Sequence, residues 1–334
     1  MRALHLNECP LPPASAVVEA IRSAALAGNR CPDAHSRRLA SALAERTGVP
    51  PERMVFGTGS EELLGLITLV ALDPGDNVVA STPSFGRYVR SAQLVGGEGI
   101  KVPLKEDGRN DVEALVAAVT PRTRVLFCAM PNNPTGWPND GTETDYIARE
   151  TPDDVLLVID EAYQEYARHA GAPNVLAALA ARRGPWIVLR TFSKAYSLAG
   201  LRLGYGLGSS SEVVAAIGRA RTAFNANVLA QAAALAALSD TEHLVAVLET
   251  CAAERRRLDE GCRALGLSPM PTVTNFMSIP VPMPAARVVE AMEERGILIG
   301  MWSDGGRDDV IRISLGLAED TDAVLAALKN ILGR

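Results

Sequence analysis

The sequence predicts an α/β protein in which a mostly parallel sheet forms a large unit and a smaller α+β unit follows it. Two observations carry this. Short apolar runs alternate with longer amphipathic stretches through the first two thirds of the chain, which is the pattern of β/α units feeding a parallel sheet. After Asn225 the texture changes to long Ala/Leu-rich helix and then to short strands and helices without that alternation. The 334 residues also exceed the roughly 250 to 300 at which single hydrophobic cores stop growing, so a two-part molecule is expected.

Strands are expected at residues 53–56, 77–80, 124–128, 155–159, 186–189 and 202–205, each a short run rich in Val, Ile and Leu. Helices are expected between them at 61–71, 111–119 and 211–221, several opened by the Ser, Asp or Glu that helix starts prefer. Two Ala/Leu-rich helices follow at 228–238 and 241–265, the second suited to connect the units. Beyond Pro269-Met-Pro271 the pattern predicts strands at 275–281, 297–299 and 310–314 and helices at 285–295 and 320–332. The expected division is residues 29–228 for the large unit, with 1–28 and 229–334 forming the small one. Functional groups should gather on loops at the carboxyl ends of the parallel strands.

Composition narrows the function classes. Hydrophobic content of 48% with 22% charge suits an ordinary globular chain, and no run approaches the roughly 20 apolar residues of a membrane span. The first residues carry too short an apolar run for a secretory signal, so the cytoplasm is the expected location. Five cysteines without a CxxC pair indicate neither a disulfide framework nor zinc, and four scattered histidines show no ligand spacing, so no metal is expected. A net charge of −6 argues against a nucleic-acid partner, since the basic run Arg255-Arg-Arg257 is flanked by Glu254 and Asp259 as on a solvated helix face.

The chemistry centres on Lys194, in the run Arg190-Thr-Phe-Ser-Lys-Ala-Tyr-Ser-Leu-Ala-Gly-Leu-Arg202. It lies on a turn after an apolar strand, with hydroxyls before it and an arginine eight residues after, as a cofactor that forms an imine and carries a phosphate handle requires. Pyridoxal phosphate is such a cofactor. Asp160 closes the apolar strand 155–159, where a buried carboxylate needs a cation or donor, and a pyridinium N–H would supply one. Asn133, within Pro131-Asn-Asn-Pro-Thr-Gly136, and Tyr163 would reach the ring oxygen. Gly57-Thr-Gly-Ser-Glu-Glu62 opens like a dinucleotide fingerprint but has Glu62 at the third glycine; what survives is a helix start able to offer the Gly59 and Ser60 N–H groups to a phosphate. Gly204-Tyr-Gly-Leu-Gly208 reads as strand glycines allowing close backbone approach. Singly, each motif is as well explained as a solvated lysine, a helix cap or a plain turn. Taken in order, with Phe85, Thr191, Ser193 and Arg202, they describe the needs of one ligand.

At these residues the chain resembles the fold-type I pyridoxal phosphate enzymes, and within them the histidinol-phosphate aminotransferase-like group. The resemblance runs from Leu6-Asn-Glu-Cys-Pro10 through GTGSEEL, TPSFGRY, PNNPTG, VIDEAY, TFSKAYSLAGLRLGY and TNF to Ile311-Arg-Ile-Ser314. It implies a homodimeric transaminase in which Lys194 links to the cofactor, Asp160 meets the pyridine nitrogen, and Asn133 and Tyr163 meet the ring oxygen. Phe85 would stack on the ring, Gly59, Ser60, Thr191, Ser193 and Arg202 would hold the phosphate, and Arg312 would clamp the substrate carboxylate, assisted by Asn133. Catalysis would rest on Lys194, Asp160 and Tyr163.

Three positions depart from the group's pattern: Cys31 stands where a tyrosine is usual, Leu11 where an aromatic is common, and Gly300 where an arginine helps bind the substrate phosphate. Losing one charge-assisted bond costs a dianionic substrate roughly 1.5 to 3 kcal/mol, or about one to two orders of magnitude in affinity. This weakens the case for histidinol phosphate and leaves the substrate open, with Arg87, Arg219, Arg221 and Arg307 as candidate replacements for the missing cation. A decarboxylase similar to threonine-phosphate decarboxylase and a non-catalytic sensor domain are the alternative readings, the first disfavoured by the lysine motif and the second by the intact Asp160 and Lys194 pair.

Overall fold

A computed structural model describes residues 1–304 and 307–334. Among the described residues eleven strands form two sheets: β1 (Arg2–Leu4), β2 (Met54–Gly57), β3 (Asn77–Thr82), β4 (Glu98–Pro103), β5 (Thr123–Ala129), β6 (Leu156–Asp160), β7 (Trp186–Thr191), β8 (Gly204–Gly208), β9 (Phe276–Pro280), β10 (Ile297–Met301) and β11 (Val310–Ser314). The larger sheet has the order β2-β8-β7-β6-β5-β3-β4, parallel except for β8, which runs antiparallel to both of its neighbours. The smaller has the order β1-β10-β11-β9.

The inner strands β5, β6 and β7 are buried on both faces, which explains their unbroken Val, Ile and Leu runs. Side-chain caps start several helices: Ser210 accepts from the Val213 N–H, Asn227 from Ala230 and Asp240 from His243. The long helix Thr241–Ala264 packs on the terminal helix Ala318–Ile331.

All six strands expected in the large unit are present, and β4 is an addition. It is an edge strand with only Val102 buried, so its sequence lacks the apolar run of its neighbours. The strand expected at 202–205 begins instead at Gly204, because Arg202 adopts a left-handed turn (φ 54°). The segment 1–28, expected to belong whole to the small unit, is divided. β1 joins the smaller sheet beside β10, whereas the helix Ser15–Ala25 packs on Val228–Ser239. Val17, Ala230, Ala233 and Ala234 then share one core with the strands of the larger sheet. Alanine-rich faces allow this close pairing of Ser15–Ala25 with Val228–Ser239.

Candidate active site

The parallel strands point their carboxyl ends at a cavity of about 370 Å³ lined by every residue expected to bind cofactor or substrate: Gly59, Ser60, Phe85, Asn133, Asp160, Tyr163, Thr191, Ser193, Lys194, Arg202 and Arg312. Ten of them follow or end strands of the larger sheet or precede β8; Arg312 comes from β11 of the smaller one.

At one end, β2 and β8 bring two turns together, with Gly57 opposite Gly204. A Cβ on Gly204 would lie 2.3 Å from the Ser60 nitrogen, and one on Gly59, whose φ is 79°, would lie 2.6 Å from Arg202 Nη2. Glycine at both positions is what lets the start of helix Ser60–Ala71 meet the arginine. Arg202 Nη1 donates to Ser193 Oγ at 3.4 Å, and Thr191 Oγ1 donates to the same oxygen at 2.9 Å. Backbone N–H groups, two hydroxyls and a guanidinium thus form an anion cradle.

At the centre, Asp160 is 6% exposed at the end of β6. Burial pushes its carboxyl up to about 6, against the Tyr88 hydroxyl, which donates to Oδ2 at 2.9 Å, and the Ala162 N–H, which donates to Oδ1 at 3.0 Å. Lys194 Nζ donates to the carbonyls of Leu6 (3.2 Å) and Asn7 (3.0 Å). Burial, and then the nearby Arg312 charge, bring its amine down to about 8. Tyr163 is buried, which raises its hydroxyl to about 12, and it accepts from Asn7 Nδ2 at 3.0 Å.

At the far end, Arg312 Nη1 donates to Asn133 Oδ1 (2.7 Å) and Nη2 to the His5 carbonyl (2.8 Å), while its Nε is buried without a partner among the described residues. Met301, Trp302, Ser303 and Asp304 complete the rim. Trp302 Nε1 donates to Ser278 Oγ at 2.9 Å, and Asp304 pairs with Lys101 at 2.7 Å. Gly300 lies opposite Arg312 across β10 and β11, and a Cβ there would sit 3.4 Å from Nη2.

None of the four candidate replacement arginines lines this cavity. Arg87 pairs with Glu61, Arg307 with Asp309, and Arg221 bonds Asn225 and the Ala34 carbonyl. Cys31 is exposed, and Leu11 packs against the core of the smaller sheet. No metal-ligand cluster occurs among the described residues. Sequence reasoning assigned no role to Tyr88, Asn7 or Trp302. The first two lie inside quoted motifs, TPSFGRY and LNECP, but nothing local shows which group each would touch.

Comparison with known proteins agrees with this geometry. The family described as aminotransferase class I and II matches residues 3–328. Histidinol-phosphate aminotransferase of Moorella thermoacetica is 37% identical over 329 residues, covering 98% of this chain and 85% of that protein. Histidinol-phosphate aminotransferase 1 of Mesorhizobium japonicum is 38% identical over 330 residues, covering 98% and 90%. The crystal structure of histidinol-phosphate aminotransferase from Sinorhizobium meliloti in complex with pyridoxal-5'-phosphate superposes with a TM-score of 0.93 at 33% identity, covering 99% of this chain and 90% of that one.

The residues present fit pyridoxal phosphate. Arg202, with two glycine-cleared turns, suits its phosphate, the buried carboxylate of Asp160 suits a protonated ring nitrogen, and Lys194 supplies an amine of lowered basicity. The chain belongs to the class I and II aminotransferases: it is a fold-type I, pyridoxal phosphate-dependent transaminase of the histidinol-phosphate aminotransferase-like group.

Proposed function

We propose that this transaminase moves an amino group between an amino acid or amino alcohol that carries no phosphate and a 2-oxo acid, with Lys194, Asp160 and Tyr163 as its catalytic residues. The observation that carries the reading is the convergence of the Lys194 amine, the Asp160 carboxylate and the Arg312 guanidinium, from three separate elements, on one cavity. Bound pyridoxal phosphate supplies a carbonyl that condenses with amines and a conjugated ring that accepts electrons from the substrate α-carbon.

In this reading Gly59, Ser60, Thr191, Ser193 and Arg202 hold the phosphate, and Phe85 covers the ring. Asp160 holds the proton of the ring nitrogen, a charge pairing that offsets the cost of burying its carboxylate. Tyr163 and the amide nitrogen of Asn133 donate to the ring oxygen, the other end of that amide being engaged by Arg312. Arg312 presents its guanidinium to the substrate carboxylate, where a planar fork matches two oxygens. Lys194 Nζ, once exchanged for the incoming amine, would accept the proton released at the substrate α-carbon and deliver it to the cofactor's former carbonyl carbon. An amine brought down to about 8 is neutral in a useful fraction at mildly alkaline pH.

The charge census supports a substrate without phosphate. Among the described residues the cations lining the cavity are Lys194, Arg202 and Arg312, and each is already committed. The names of the relatives favour histidinol phosphate instead, so one assay compares both. Purified holoenzyme should show a visible absorption band that Lys194→Ala lacks, and a panel of amines, histidinol phosphate included, should bleach it. Retention of the band in Lys194→Ala sinks the lysine assignment. Bleaching by histidinol phosphate alone sinks the substrate class, and stoichiometric carbon dioxide release would make the enzyme a decarboxylase.

We also propose a cytoplasmic homodimer. The family resemblance supports the dimer and the five free cysteines suit a reducing compartment; no described helix is long and apolar enough to cross a membrane. Light scattering tests the dimer. The two working units in this proposal are 29–228 and the remainder, except that helices Ser15–Ala25 and Val228–Ser239 go with the large one.

A further inference from the structure

The motif Leu6-Asn-Glu-Cys-Pro10 has no role in the proposed reaction, yet Asn7 bonds groups on both sides of the cavity. It is 2% exposed and its backbone is left-handed, with φ 54°, a conformation asparagine tolerates better than most residues. The turn is tied to the small unit. The Asn7 N–H donates to Ser314 Oγ at 2.8 Å, Ser314 Oγ donates to Asn7 Oδ1 at 3.3 Å, and Asn275 Nδ2 donates to the Asn7 carbonyl at 3.0 Å. On its other side it meets the large unit. The Asn7 and Leu6 carbonyls both accept from Lys194 Nζ, at 3.0 and 3.2 Å, and Asn7 Nδ2 donates to the Tyr163 hydroxyl at 3.0 Å.

We propose that Asn7 is a positioning residue for transamination: its turned backbone seats the Lys194 ammonium between two carbonyls whenever that amine is not joined to the cofactor, and its amide orients the Tyr163 hydroxyl. The proposal rests on the roles of Lys194 and Tyr163 given above. Two carbonyl acceptors favour the protonated amine, so the seat opposes the effect of burial on Lys194. Because Asn7 is the donor to Tyr163, the phenolic proton is left to donate elsewhere. Both effects come from one residue held by the small unit, so lysine and tyrosine are registered against the same sheet that carries Arg312.

Asn7→Gly and Asn7→Ala separate the two arms, since both lose the amide but only glycine keeps the left-handed turn at no cost. In cofactor-free protein the pH midpoint for reductive methylation of Lys194, followed by mass spectrometry, should fall by about half a pH unit or more in Asn7→Ala and stay near wild type in Asn7→Gly. In the holoenzyme both variants should lose about three- to tenfold in kcat with KM within about twofold, and the loss should vanish in a Tyr163→Phe background. Equal midpoints in Asn7→Ala and Asn7→Gly would overturn the carbonyl seat. Undiminished kcat, or a loss that persists without the Tyr163 hydroxyl, would overturn the amide's role; a lowered Tm with every other reading at wild type would leave Asn7 purely structural. The methylation midpoint is read without cofactor, so it separates failure of this proposal from failure of the cofactor assignments, which would show as a missing visible band in every variant.

Discussion

At the Arg202 end of the cavity, the groups come from two turns that neighbouring strands of one sheet bring together, and backbone geometry leaves them almost no freedom. At the Arg312 end, the contacts join residues as far apart in sequence as Asn7 and Ser314 and depend on how two sheets sit against each other. In the proposed reaction the first end would hold the cofactor's constant phosphate, and the second would face the substrate. Of the three departures from the family pattern, Gly300 lies at this end, opposite Arg312 and away from the turns around Arg202, whereas Cys31 is exposed and Leu11 packs against the core of the smaller sheet.

Substitutions can break or sharpen this contrast. The largest effect is expected from Asp160→Asn, which shares the rigid end's sheet and removes the charge opposite the ring nitrogen. kcat should fall by about 10²- to 10³-fold with the fold retained, as judged by circular dichroism and steady-state rates. A loss below tenfold would mean that Asp160 is only a structural carboxylate. Arg312→Lys should lower kcat/KM for amino-acid substrates by about 10- to 100-fold while leaving cofactor affinity unchanged, because a point charge replaces a planar fork. Equal losses for amino acids and for amines lacking a carboxylate would contradict the clamp.

Gly59→Ala tests the rigid end with one methyl group. The added Cβ would lie 2.6 Å from Arg202 Nη2 on a residue with φ 79°, so cofactor affinity should weaken by roughly tenfold, measured by fluorescence titration of stripped protein. The smallest effect is expected from Tyr88→Phe. The Tyr88 hydroxyl favours ionised Asp160, so its removal raises the Asp160 pKa further above the ordinary carboxylate range. The acid limb of the kcat/KM profile should therefore move to higher pH, with a loss of about two- to tenfold on that limb that fades toward the plateau. An unmoved acid limb would show that Asp160 does not govern it.

The elements that were legible in the sequence are those whose signal is local. β5, β6 and β7 are short apolar runs closed by polar turn residues, and every predicted cofactor residue sits on or beside such a turn. β4 was not legible because an edge strand with one buried residue has no apolar run to read. β1 is three residues long and gains its identity only from pairing with β10. The packing of Ser15–Ala25 was not legible for a similar reason: a small amphipathic helix fits either core, and here it lies on the alanine-rich helix Val228–Ser239.

By itself, then, the sequence determined which chemical groups the protein owns and the order in which strand ends deliver them, because a strand, its closing turn and the helix after it are encoded in one short contiguous stretch. Only the tertiary structure decided what each group touches: Tyr88 on Asp160, Asn7 on Tyr163 and Lys194, Arg312 on Asn133. These contacts span 72 to 187 positions, and their directions are set by packing between elements that no local pattern relates.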